Sequence, residues 1–308
     1  MRDPRTLSIG LVGYGEVGKI LATALVARGV AWVGTWDILL PDPAAGPAMH
    51  AHAEAVRVVP ATSLADLLSR ADVVISAVTA SQAVAVARAA VPSIRPGTWF
   101  VDLNSASPGA KREMSALIDG AGGRFVESAV MTSIPPYGIK VPMLLGGAHA
   151  AELRDLLAPL GFAMEVASND VGVASAIKMC RSVMIKGLEA LVTESFTAAR
   201  AYGVEDRVLA SLHETFPTLD WEMLGSYLMS RSALHGKRRA EEMREVAVTV
   251  REAGLEPWMA TATAERQDWM GRQKGPLGLD KLGKEANWRE YADKLLESRH
   301  RLGKPKLS

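Results

Sequence analysis

The sequence predicts an α/β fold: an N-terminal doubly wound parallel sheet followed by an all-α C-terminal domain. Three observations predict it. Short apolar runs alternate with helix-patterned stretches through the first half, the order that builds a parallel sheet covered on both faces. A glycine-rich turn joins the first apolar run to the first helical stretch. Beyond Ser168-Asn169-Asp170 the short runs stop and apolar residues recur at helical spacing. The chain's 308 residues suit two domains, with a boundary expected near Ser168: residues 1–167 and 168–308.

Taken in order, Leu7 opens the first strand, and the first helix runs from Val17 to Ala27. Ala31–Trp36, Asp72–Val78 and Thr98–Leu103 are apolar runs too short for typical helices and read as buried strands. Pro41 to His50 is a loop by composition. Ser63 caps a helix carrying Leu64, Leu67 and Leu68, and another runs from Gln82 to Val91 before Pro92. Arg124–Ala129, Pro142–Gly146 and Met164–Ala167 read as further strands, with a helix at Ala148 to Leu160 ended by Gly161. Val173, Ala176, Ile177, Cys180, Val183, Met184, Leu188 and Leu191 then mark a long helix from about Gly172 to Ala201. The remainder is mainly helical, with breaks expected at Gly203, Pro217, Gly225, Gly254 and Pro257 and a polar, basic tail from Gly271 to Ser308.

The glycine-rich turn is Gly13-Tyr14-Gly15-Glu16-Val17-Gly18, and Asp37 follows the next apolar run. Each part has a physical job in a Rossmann-type dinucleotide site. Gly13 allows the tight turn, Gly15 lets the backbone approach a pyrophosphate, and Gly18 lets the helix pack on the strand. The helix start presents free N–H groups and its positive dipole end to the phosphates. Asp37 would accept both ribose hydroxyls and repel a 2′-phosphate, and no Arg or Lys follows in Trp36-Asp37-Ile38-Leu39-Leu40. NAD is therefore expected over NADP. Val78 and Thr79, at the end of another strand, join the expected cofactor contacts.

Composition narrows the function classes. A net charge of +1 argues against nucleic acid or an anionic membrane as partner, and no apolar stretch suffices to span a bilayer. The single cysteine, Cys180, excludes a disulfide framework within the chain and fits a cytoplasmic protein. Arg2 and Arg5 before the run from Leu7 imitate a signal peptide, but the glycine turn with Glu16 and Lys19 fits a βα unit better. His50, His52, His149 and His213 lack partners at ligand spacing, so no metal site is expected. Trp221, Met223, Trp258, Met259, Trp269 and Met270 are expected in core or subunit interface.

On the long helix Ser175, Lys178, Arg181 and Ser182 fall on one face, opposite the apolar stripe. That spacing fits a basic site beside a bound nicotinamide or a solvated stripe.

From Leu7 to about Met259 the chain resembles the β-hydroxyacid dehydrogenase family, which includes 3-hydroxyisobutyrate and 6-phosphogluconate dehydrogenases. The order of landmarks carries the resemblance. After Gly13–Gly18 comes Asp102-Leu103-Asn104-Ser105-Ala106-Ser107-Pro108, similar to the family's D-x-S/N-S/T…P segment. Glu127-Ser128-Ala129-Val130-Met131-Thr132-Ser133 falls where the family has D-A-P-V-S-G-G, and Gly172 to Ser182 where it has G-x-x-x-x-x-K-x-x-N-N. The resemblance implies a dehydrogenase in which Lys178 is the acid/base and Ser105, Thr132 and Ser133 hold the substrate carboxylate. Asn104 would face nicotinamide or substrate. Asn104-Ser105 also fits an Asx or Ser turn, and Thr132 to Pro136 a plain proline loop. The family dimerises through its helical domain, and a homodimer is expected here.

The departures from the family bear on the substrate. Arg181-Ser182 replaces Asn-Asn, and Thr132-Ser133 replaces two glycines. Arg181 offers a planar fork for a carboxylate or phosphate, so a small anionic hydroxy acid is expected. Its fixed charge would also lower the Lys178 pKa. Where many members have a cofactor-contacting lysine in K-D-L, this chain has Glu241-Glu242-Met243, and Arg238 stands one turn earlier. His235 to Arg239 is thus either part of a site, with His235 toward substrate and Arg238 toward cofactor, or a solvated basic helix segment. An NADPH-dependent imine reductase shares the architecture but commonly lacks the lysine. Oxidative decarboxylation and a non-catalytic dinucleotide sensor are the other readings.

Overall fold

The computed structural model describes residues 3, 6–283 and 285–301; Arg2, Arg5 and the end of the basic tail lie outside the described residues. The chain divides into two compact units, Met1–Met179 and Cys180–Ser308.

The first unit is built on an eight-stranded sheet. Its strands are β1 (Ser8–Val12), β2 (Trp32–Trp36), β3 (Val59–Pro60), β4 (Val73–Ser76), β5 (Trp99–Asp102), β6 (Arg124–Val130), β7 (Pro142–Gly146) and β8 (Ala163–Ser168). The spatial order is β3-β2-β1-β4-β5-β6-β7-β8, so the chain reverses direction of growth between β1 and β4. Strands β1 to β6 pair in parallel, with Ile9 facing Val33 on one side and Val73 on the other.

Successive residues of the central strands enter opposite cores. Ile9, Leu11, Val73, Ile75, Val101 and Val126 join one apolar cluster, with α1 (Glu16–Ala27), α2 (Gly46–Ala55) and α6 (Ala150–Leu157). Val12, Val74, Phe100 and Phe125 join the other, with α3 (Leu64–Arg70), α4 (Ala83–Ala90) and α5 (Pro108–Gly120). Burial on both faces is why these strands read as unbroken apolar runs rather than as alternating ones.

Three features differ from the sequence expectations. Strand β7 runs antiparallel to β6, because the connection over 131–141 contains only a short 3-10 turn and no crossover helix. The stretch expected as a loop through His50 becomes helical from Gly46, which places both His50 and His52 on α2. There Asp42 Oδ1 accepts the N–H groups of Ala44 (2.9 Å) and Ala45 (2.8 Å), and a proline sits in the first turn. Both are helix-start signals. Finally, α7 (Val173–Tyr202) begins in the first unit, so the division falls inside a helix rather than near Ser168.

The second unit contains the rest of α7, α8 (Glu205–Thr215), α9 (Trp221–Glu252), α10 (Trp258–Gln273) and α11 (Trp288–Arg301). Its core gathers Val192, Phe196, Leu228, Met229, Met270, Leu279, Trp288 and Tyr291. Gly225 does not break the chain as expected: it lies inside α9, where a Cβ would strike the Phe196 ring. At Gly236 a Cβ would meet the backbone of Gln267 and Gly271, so α9 and α10 touch main chain to main chain.

Within the sheet one buried ion pair stands out. Lys111 on α5 and Asp102 at the end of β5 are 1% and 0% exposed and meet at 2.5 Å. Lys111→Met leaves the Asp102 carboxylate buried without its cation, and urea unfolding should show a loss of about 3–5 kcal/mol. The double variant with Asp102→Asn should recover most of that loss.

Candidate functional site

The C-terminal ends of β1, β2, β4, β5 and β6 lie along one edge of the sheet, and the sequence-identified residues of the first unit cluster there. In open α/β sheets ligands bind outside these strand ends, where the order of strands reverses. A separate cleft lined by Leu7, Asp72, Thr98, Trp99, Glu152 and Leu156 opens at the opposite, N-terminal ends.

The glycine turn has the expected form. Gly13 has φ of +95°, and a Cβ on it would strike the Ala77 carbonyl. A Cβ on Gly18 would strike the Gly13 carbonyl oxygen, so the first turn of α1 rests directly on the loop. Gly15 faces open space, with nothing within 4 Å of the Cβ position, and no side chain caps α1. The cradle and the helix dipole behind it fit a pyrophosphate. Exposed Glu16 and half-buried Val17 form the mouth of the helix.

Asp37 closes the other side. Its Oδ2 accepts the Tyr14 N–H at 2.7 Å and its Oδ1 the Leu39 N–H at 2.9 Å, fixing the carboxylate beside the glycine turn. Tyr14 contributes through its backbone, since its ring is fully buried and its hydroxyl meets His52 Nδ1 at 2.9 Å. Burial pushes the Tyr14 phenol up to about 12. His52 is therefore a structural partner of Tyr14 on α2.

Val78 and Thr79 follow β4. The Val78 N–H donates to Asn104 Oδ1 at 2.7 Å, while Asn104 Nδ2 donates to Ser76 Oγ at 3.0 Å and to Asp102 Oδ1 at 2.5 Å. Both amide hydrogens of Asn104 are thus engaged within the chain. Its side chain is a strut linking the Lys111–Asp102 pair to the loop after β4.

The next residue, Ser105, accepts a hydrogen bond from Lys178 Nζ at 2.6 Å, joining positions 73 apart in sequence. Two residues combine to place Lys178 there. Glu127, fully buried on β6, accepts the N–H groups of Gly172 (2.7 Å) and Ala174 (3.1 Å) on Oε1 and that of Ser175 (3.4 Å) on Oε2. A carboxylate at a helix N-terminus suits both the free donors and the dipole. Ser175 Oγ in turn donates to the Gly172 carbonyl at 3.0 Å, so Ser175 closes the first turn of α7 and is buried. Thr132 and Ser133 lie just past β6, exposed and half-buried respectively.

Arg181, Ser182, His235 and Arg238 belong to the second unit. Arg181 is exposed, whereas Ser182 is buried and accepts from Lys186 Nζ at 2.9 Å. Lys186 pairs with Glu242 at 3.0 Å, and Arg238 with the same carboxylate at 2.5 Å. The acid standing in the K-D-L region therefore gathers two cations. Burial, and then the charges of Arg231, Arg238, Arg239 and Lys274, push the His235 imidazole down to about 4.

The amphipathic face of α7 is inverted relative to expectation. Ser182, Lys186, Glu189 and Thr193 are buried, while Val173, Ile177, Met184 and Leu191 are exposed, Met184 to 64%. Of the expected core or interface residues, Met270 is fully buried, and Met223, Trp258 and Met259 are exposed.

Sequence reasoning missed Glu127, Lys111 and Asp102 as determinants of the site. For Glu127 a signal existed: a charged residue inside an apolar strand run needs a partner. Lys111 carried no comparable signal, because its partner lies nine residues away across a turn. Among the described residues no three His, Cys, Asp or Glu side chains gather as a metal site, and no helix is long and apolar enough to cross a membrane.

Comparison with known proteins agrees with this geometry. Residues 8–134 match the NAD binding domain of 6-phosphogluconate dehydrogenase, and residues 199–270 match a domain of unknown function, DUF1932. A conserved hypothetical protein from Sinorhizobium meliloti 1021 is 37% identical, with a TM-score of 0.77 over 95% of this chain and 96% of that one. A second conserved protein of unknown function, described as structurally similar to 3-hydroxyacid dehydrogenases, is 36% identical, with a TM-score of 0.69 over 86% of this chain and 97% of its own. The chain is a divergent member of the 3-hydroxyacid/6-phosphogluconate dehydrogenase-like NAD(P)-binding superfamily. The 3-hydroxyisobutyrate dehydrogenase of Mycobacterium tuberculosis, with L-serine, shares the fold at a TM-score of 0.70 and 17% identity, over 94% of this chain and 99% of that one. A dinucleotide-binding domain is therefore present, on a fold that resembles NAD(P)-dependent dehydrogenases.

Gly15 and Gly18 should separate binding from folding. Gly15→Val fills the open cradle, so NADH affinity measured by fluorescence titration should fall at least about tenfold with little change in Tm. Gly18→Ala forces backbone apart and should cost about 1–3 kcal/mol in denaturant unfolding.

Proposed function

We propose that the protein is an NAD-dependent dehydrogenase of small 3-hydroxy acids, with Lys178 as the group that takes the proton from the substrate hydroxyl. The observation that carries this reading is the 2.6 Å contact between Lys178 Nζ and Ser105 Oγ, at the strand ends that also bear the glycine cradle. Ser105 Oγ uses a lone pair to accept from the lysine, which leaves its own O–H free to donate to a substrate carboxylate. Thr132 and Ser133, past the neighbouring strand, add hydroxyl and backbone donors for the same carboxylate. Bound dinucleotide supplies the two-electron acceptor. The chain's residues then orient the hydroxy carbon and accept one proton, which requires Lys178 in its neutral form.

The class of substrate follows from two supports. The Mycobacterium tuberculosis relative is a 3-hydroxyisobutyrate dehydrogenase whose structure carries L-serine, itself a 3-hydroxy acid. The hydroxyl-rich segment Thr132-Ser133 suits an anionic substrate. Asp37 favours NAD, since a 2′-phosphate would bring a second negative charge against its fixed carboxylate. The exposed apolar residues of α7, with Trp258 and Met259, support a homodimer formed through the helical unit.

The test is NADH formation across a panel of 3-hydroxy acids. Lys178→Ala should lower kcat by about 10²- to 10⁴-fold, with KM changed much less. Retained turnover in Lys178→Ala would overturn the assignment. Asp37→Ala should relax the preference for NAD, read as the ratio of kcat/KM with NAD to that with NADP; an unchanged ratio removes Asp37 from cofactor selection.

A further inference from the structure

Helix α9 carries a cluster of cations that the dehydrogenase reading does not use. Arg231, His235 and Arg239 recur every fourth residue along one stripe of the helix, with Arg238 beside them. Lys274 approaches from the end of α10, its Nζ 3.3 Å from the Leu234 carbonyl, and Lys186 faces the same region from α7. Two carboxylates answer them. Glu189 is paired with Arg239 at 2.9 Å, and Glu242 is shared by Lys186 and Arg238. Arg231 feels the Glu189 carboxylate only through space: it is half-buried, and among the described residues it has neither hydrogen bond nor ion pair.

Donors are also left over. The Nε atoms of Arg231 and Arg239 and the hydroxyl of Ser232 are buried without a partner. Arg239 is 7% exposed and Ser232 1%. Buried polar groups are almost always satisfied, and a half-buried guanidinium beside a second guanidinium is repelled as well as desolvated. One small anion answers both problems, because it supplies acceptors to a planar fork and cancels like-charge repulsion. His235 stays neutral beside these cations, and its ring nitrogens add donor or acceptor capacity as the tautomer requires.

We propose that the face of α9 bearing Arg231, Ser232, His235 and Arg239 is a binding site for a small oxyanion, one phosphate or carboxylate group, lying wholly within the helical unit. The site rests on these residues alone and is independent of the proposed dehydrogenase activity.

The experiment is calorimetric titration of the purified full chain, free of cofactor and substrate, with inorganic phosphate in one arm and malonate in the other. Saturable binding of either anion is expected, and the arms tell a phosphate site from a carboxylate site. Arg231→Gln, which breaks no ion pair, should weaken that binding at least about tenfold. Arg244→Gln, an exposed change on the same helix, should leave it unaltered. In parallel, imidazole NMR should show the His235 pKa rising when the anion binds, since a nearby negative charge favours the protonated ring. Absence of saturable binding in both arms overturns the proposal, as does equal affinity in Arg231→Gln.

Discussion

The carboxylate of Glu127 is the constraint on which the rest of the site depends. It sits in the middle of a buried strand, where an unpaired charge would be prohibitive. Three backbone N–H groups from the start of α7 satisfy it, and in doing so they fix where that long helix begins and how it is rotated. Lys178 stands one turn further on and reaches Ser105 because of that rotation. The arrangement also explains why the compact units divide at Met179: the first two turns of α7 belong, by their hydrogen bonds, to the sheet.

A second chain of interactions works on the other side of the site. Lys111 neutralises Asp102, Asp102 orients the Asn104 amide, and Asn104 holds the Val78 N–H. The loops after β4 and β5 are thus tied together by side chains under the surface rather than by their own turns. Ser105 follows Asn104 directly, so the hydroxyl that accepts from Lys178 inherits its position from a buried ion pair. Rigid placement of this kind is what an oriented reaction requires, since sub-ångström misplacement costs rate.

Much of this was legible in the sequence, and the limits have physical causes. The parallel strands could be read because burial on both faces leaves unbroken apolar runs. The glycine turn could be read because each glycine answers a local steric demand. Strand direction at β7 could not, because it depends on what the connection lacks. Helix α2 was hidden because Asp, Pro and Gly serve helix starts as well as loops. Gly225 looked like a break because the ring of Phe196, which occupies the space beside it, comes from another helix. The inverted face of α7 has the same origin. Glu189 and Lys186 are buried by partners fifty or more residues away, such as Arg239, Gln267 and Glu242, which no local periodicity announces.

The reversal of the sheet between β6 and β7 has a consequence for how this architecture can diversify. Because β7 returns antiparallel, segment 131–141 needs no helix to carry the chain back, and it stands at the end of the sheet that bears Ser105 and the glycine turn. Ile134, Ile139 and Val141 still pack into the core, but the exposed residues between and before them, Thr132 and Pro135 to Tyr137, are released from the packing demands a crossover helix would impose. Loop length changes entropy only slowly, so insertions there cost little stability. Relatives with this sheet can vary that one segment and alter what the site admits, while the buried strands and their ion pairs stay as they are.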